Sequence, residues 1–157
     1  MHFKKRTLLS LLFLITFSVA ATSAHAQNEP AKGNTGLGII LGSPSGISLK
    51  HWNSSNRAVD AGLAWNFAGE DAISVHGDYL WHSWLSAEEG DFAVYYGIGA
   101  QALFSNNSTI GARIPIGLTY LFEEAPLDVF VEIAPIFEVI PNTEFEGSGG
   151  LGVRFYF

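Results

Sequence analysis

From residue 35 to the end of the chain, bulky apolar residues alternate with small or charged ones at a period of two. That is the signature of extended strands, whose successive side chains point to opposite faces. Eight such stretches are expected, near 35–42, 45–52, 57–67, 71–82, 92–104, 109–122, 127–139 and 148–157. Between them lie residues that favour turns: Ser43-Pro44, Asn53 to Asn56, Ala68 to Glu70, Ser83 to Asp91, Ser105 to Ser108, Glu123 to Pro126 and Pro141 to Gly147. No stretch with a helical period competes. Eight strands joined by short hairpins predict an all-β, antiparallel up-and-down meander.

Splitting each strand by parity separates the residues cleanly. One face takes Leu37, Ile39, Leu49, Leu63, Val75, Val94, Ile98, Ile114, Leu118, Val131, Ile133 and Val153, and no fixed charge. The other takes many of the glycines together with Lys50, Asp60, Asp78, Arg113, Asp128, Glu132, Glu138 and Arg154. An eight-stranded barrel is only just wide enough to be filled by side chains, so the bulky face must point outward and the small and charged face inward. In water that exterior would be an apolar belt far beyond what soluble proteins expose. In a bilayer it is required, because a closed ladder satisfies every backbone group. The expected fold is an eight-stranded antiparallel transmembrane β-barrel over residues 35–157. A soluble lipocalin-type barrel would need the opposite polarity.

Aromatic residues sort by strand end. Trp65, Phe67, Phe104 and Phe137 close the odd-numbered stretches, and Trp52, Tyr79, Trp81, Tyr120, Phe122, Phe155 and Phe157 the even-numbered ones. Two girdles at the membrane interfaces are the expectation.

The N-terminus fits this location. Lys4, Lys5 and Arg6 precede an apolar run from Leu8 to Val19 and then Ala24-His25-Ala26, the three parts of a secretory signal peptide over residues 1–26. The run is too short for a transmembrane anchor, which needs about 20 apolar residues. A short polar segment, 27–34, would lead into the first strand. The chain has 15 acidic and 8 basic residues and no cysteine. Losing the leader's three basic residues makes it more acidic still, which leaves no footprint for nucleic acid. The absence of cysteine rules out a disulfide scaffold or thiolate metal site. At 48% hydrophobic, the chain is too apolar for intrinsic disorder.

The final Gly150-Leu151-Gly152-Val153-Arg154-Phe155-Tyr156-Phe157 resembles the signal by which bacterial outer-membrane proteins are handed to the barrel assembly machinery, with Phe155 and Phe157 as its aromatic positions. The exported chain as a whole resembles small eight-stranded barrels such as the membrane domains of outer membrane proteins A and X. The opening Gly36 to Gly46 is similar to that of a family of uncharacterised small outer-membrane barrel proteins. These resemblances imply location in the outer membrane of a Gram-negative envelope, lipids of that membrane and the assembly machinery as partners, a monomer, and no particular activity. The outer loops are short, unlike the long protruding strands of outer membrane protein X.

Candidate chemistry is sparse. The eight inward charges are expected to form a salt-bridged network filling the lumen, the alternative being a narrow cation-selective pore. His76, Asp78 and His82 share one strand face, but alternation alone would bring them together, and no metal set or catalytic set is assigned to them. Pro115 is expected beside Ala134 and Pro135, removing two backbone donors from one patch. The outer-membrane lipid A palmitoyltransferase resembles this in having prolines that open a lateral gap for lipid; a bulge that bends the sheet is the alternative. Neither that enzyme's catalytic set nor the lipid A deacylases' local pattern is present. The expectation is therefore an envelope-structural or surface-interaction role without cofactor or enzymatic activity, with a lipid A-modifying enzyme as its rival.

Overall fold

The computed structural model describes residues 33–66, 71–85 and 90–157. The expected signal peptide, most of the polar segment after it and Phe67 lie outside the described residues. Nine strands occur in these: β1 (Thr35–Ser43), β2 (Ser45–Ser54), β3 (Arg57–Asn66), β4 (Ala72–Leu85), β5 (Asp91–Phe104), β6 (Thr109–Arg113), β7 (Ile116–Leu121), β8 (Leu127–Ile140) and β9 (Glu144–Tyr156). Each pairs antiparallel with its neighbours, and β1 pairs with β9 from Gly36↔Tyr156 to Ser43↔Gly149, so the sheet closes on itself.

The barrel has eight staves, because β6 and β7 are two halves of one. Arg113 pairs with Ile136 and Ile116 with Ile133 on the β8 side, while Arg113 pairs with Gly99 and Ile116 with Tyr96 on the β5 side. The register is therefore unbroken across Ile114 and Pro115. The assignment is interrupted there because proline has no N–H to give the ladder.

Alternation decides the two faces. Outward side chains such as Leu41, Ile98, Ile133 and Leu151 are exposed, Ile98 by 58%. The inward charges are buried, Lys50 and Arg154 almost completely. Arg57 is a rim exception, exposed at the start of β3. No described helix is long and apolar enough to cross a membrane.

Three details differ from the sequence expectation. The last strand starts at Glu144, not near 148: Glu138 pairs with Glu144 and Phe137 with Phe145, so the β8–β9 hairpin stands higher than its turn-rich sequence suggests. β4 likewise runs on through Trp84 to Leu85. Trp52 does not belong to a girdle; it is buried inside the barrel.

The interior is also bulkier than a small and charged face. Leu80, Tyr95, Phe130, Ile136 and Tyr156 all point in and are buried. Room for four of them comes from glycines directly across the ladder: Tyr95 faces Gly117, Phe130 faces Gly152, Tyr156 faces Gly36 and Leu80 faces Gly97. A Cβ at any of these glycines would collide with the side chain opposite. Their backbones are ordinary strand, so what glycine supplies here is space.

Candidate functional site

The lumen divides into a floor, near the rim where Thr35 and Tyr156 lie, and a mouth at the opposite rim. The floor is aromatic. Trp52, Ala58, Leu80, Tyr95 and Tyr156 form one buried cluster, with Trp84 packed against it and its indole N–H donating to the Ser55 carbonyl at 2.7 Å. His82 lies 4.3 Å from the Trp52 ring and 5.3 Å from the Tyr95 ring. The Lys50 ammonium sits 4.3 Å above Trp52 and 2.8 Å from His82 Nε2. A cation over an aromatic face gains from the ring quadrupole.

Above this floor lie two ion clusters. In the lower one, Arg154 Nε donates to both Asp128 oxygens at 3.1 and 3.2 Å, and its guanidinium stacks 3.8 Å from Phe130. The Tyr156 hydroxyl (2.8 Å) and the Thr119 hydroxyl (3.3 Å) also donate to Asp128. In the upper one, Arg113 Nη1 donates to Asp78 Oδ2 at 2.8 Å and Nη2 to Glu132, while Tyr95 donates to Glu132 Oε2 at 2.8 Å. Charged donors and acceptors at such distances make the stronger class of hydrogen bond.

The eight inward charges are therefore not one continuous network. Arg113, Asp78, Glu132, Arg154 and Asp128 share three ion pairs. Among the described residues Lys50, Asp60 and Glu138 form none. Glu138 sits near the mouth and accepts from Thr109 at 2.5 Å. Asp60 lies between Lys50 and Asp78 in the ladder, yet its Oδ1 is buried without a hydrogen-bond partner. Lys50 turns instead toward His82.

The mouth is polar and partly open. A cavity of about 180 Å³ is lined by Ser74, Gln101, Glu146 and Ser148 among others. Beneath it a space of about 20 Å³ reaches His76, Arg113 and Glu132, large enough for one water-sized particle.

Pro115 and Pro135 meet as counted from the turn. The Ile114 N–H donates to the Pro135 carbonyl at 3.0 Å, and the Gly97 N–H to the Pro115 carbonyl at 2.9 Å. The staves remain bridged at this point, with the Pro115 side chain fully buried.

The aromatic positions group by rim. Tyr79, Trp81 and Tyr96 form a ring-to-ring run, as do Phe92, Tyr120 and Phe122. Phe155 and Phe157 are exposed near the floor. At the far rim Phe137 packs edge-on against Phe145 at 5.0 Å, Phe104 is exposed and Trp65 half-buried. Phe145 lies in the turn-rich stretch 141–147, whose composition masks its place in β9.

No protein-family model matches the chain, and no curated protein sequence matches it. Solved structures do. The N-terminal β-barrel domain of Pseudomonas aeruginosa OprF matches over 80% of this chain and 98% of its own, with a TM-score of 0.58 at 16% identity. Neisserial surface protein A (NspA) matches over 78% of this chain and 93% of its own, with a TM-score of 0.50 at 13% identity. Closed antiparallel staves, an apolar exterior and a charged interior thus come together in a chain that has the fold of these small β-barrels.

Proposed function

We propose that this chain is an outer-membrane β-barrel with a closed lumen, serving the envelope as a structural or surface-interaction element rather than as an enzyme or channel. The observation that carries this reading is the reversed polarity. Large apolar side chains from every stave face outward, while the described strand charges, apart from those at the rims, face inward. Only a hydrocarbon surround matches such an exterior. The floor would face the periplasm and the mouth the outside, with membrane lipids as the neighbours of the belt. The exposed Phe155 and Phe157 would be offered to the assembly machinery during insertion, and the folded chain would be a monomer.

The buried cluster that includes Trp52, Tyr95 and Tyr156, together with the two ion clusters, supports a lumen blocked to ions. The expected outcome is heat-modifiable migration of the membrane-fraction protein on a detergent gel, with no conductance in planar bilayers. Recovery of native protein from the soluble periplasm would overturn the membrane reading, and steady single-channel steps the closed one. A substitution on the belt tests it directly: Val131→Arg, outward in mid-β8, should cost about 2–4 kcal/mol of folding stability in lipid vesicles. A lateral lipid gap at Pro115 and Pro135 would require parted staves, and the Ile114 to Pro135 bond argues against it. Lipid A from a deletion strain should keep its acylation pattern.

A further inference from the structure

The register of β3 against β4 places Asp60 directly opposite Asp78 and Gly62 directly opposite His76. One oxygen of each aspartate and one imidazole nitrogen of His76 lie within 4.8 Å of one another. We propose that Asp60, His76 and Asp78 bind a divalent first-row transition-metal ion inside the barrel, reached from the mouth.

Three observations beyond the clustering carry this. First, Asp60 and Asp78 are each more than nine-tenths buried, and Oδ1 of both accepts from no donor of another residue, the two carboxyls meeting only each other there. A buried carboxylate oxygen without donor or cation is costly, and here two of them come from adjacent staves. Second, the inward charges do not balance. Five carboxylates face three cations: Arg154 is engaged with Asp128, Arg113 with Asp78 Oδ2 and Glu132, and Lys50 with His82 and the rings. Of the two negative charges left over, one belongs to Glu138 near the mouth and the other to the Asp60–Asp78 pair, where a bound cation would offset it. Third, the walls are cut to shape. The His76 ring lies over Gly62, and Asp78 Oδ1 over Gly99, where a Cβ would strike each of them. Arg113, holding the other oxygen of Asp78, would act as the outer partner that fixes a ligating carboxylate.

The donor set selects the ion. Two carboxylates and an imidazole suit Zn²⁺ and its first-row neighbours, whereas an imidazole counts against Mg²⁺ or Ca²⁺. Such ions require bonds of about 2.0–2.2 Å, so the three side chains would have to close in on a bound ion. His76 also lines the small space under the mouth cavity, which supplies an entry path.

The test uses the folded chain in detergent, without a polyhistidine tag and stripped with chelator, titrated with ZnCl₂ and CoCl₂. The gel shift on heating verifies that each variant is folded. Expected are one equivalent of Zn²⁺ per chain by calorimetry, visible absorption from bound Co²⁺, and a metal-dependent rise in unfolding temperature that Mg²⁺ does not produce. Asp60→Asn and His76→Gln should each lose the stoichiometric equivalent and the temperature rise. Glu138→Gln and His51→Ala, at the mouth and on the exterior, should keep both. A folded wild-type barrel that takes up no Zn²⁺ or Co²⁺ would overturn the proposal and leave the carboxylate pair held by a shared proton. Binding that survives in both Asp60→Asn and His76→Gln would overturn it equally.

Discussion

The two ends of the lumen are lined by the same inward parity of the same eight staves, yet they differ in kind. At the floor, Trp52, Tyr95, Phe130 and Tyr156 pack ring against cation and ring against glycine. At the mouth, Ser74, Gln101 and Ser148 surround open space. Facing inward in a narrow barrel therefore does not dictate polarity or size. The residue across the ladder matters: Tyr95, Phe130 and Tyr156 are each seated against a glycine and Trp52 against Ala58, whereas Ser74 and Ser148 at the mouth are themselves small and stand against Ala64 and Ala134.

This contrast can be broken most forcefully just above the floor, in the lower ion cluster. Arg154→Ala strands Asp128 at depth without its cation and is expected to destabilise the barrel by about 3–5 kcal/mol, read from denaturant unfolding in lipid vesicles. A loss under about 1 kcal/mol would mean that ring packing alone holds the floor. Next comes Gly117→Leu, whose branch must enter the space of the Tyr95 ring, with an expected cost of about 1–3 kcal/mol from overpacking. The same measurement on Gly147→Ala, at a mouth glycine with nothing near its would-be Cβ, should move stability by no more than about 0.5 kcal/mol. Smallest of all is Ser74→Ala. The Ser74 hydroxyl is buried without a partner, so removing it should be neutral within about 0.5 kcal/mol or slightly stabilising. Mouth variants as damaging as floor variants would erase the distinction.

Much of this architecture is legible in the chain. Strand parity alone sets Leu63, Ile98 and Val131 against Asp60, Arg113 and Glu132, because a period of two survives any error in strand ends. Strand ends are less legible. Pro141 to Gly147 carries turn chemistry, and the alternation of Glu144, Phe145 and Glu146 is too short to outweigh it. The bulky interior is hidden for another reason. Tyr95 and Phe130 have inward parity in the sequence, but their fit depends on Gly117 and Gly152, which are matched to them only by cross-strand register. The same holds for Asp60: sequence places His76 and Asp78 on one strand face, and only the pairing of β3 with β4 brings a third donor to them.

The glycine seats have a bearing on how such a chain can diverge. Gly117 with Tyr95, Gly152 with Phe130 and Gly36 with Tyr156 are sterically coupled, since enlarging the wall residue requires shrinking the occupant opposite. Homologues carrying alanine at one of these glycines should show a slimmer side chain at its mate, so that substitutions there arrive in pairs rather than singly.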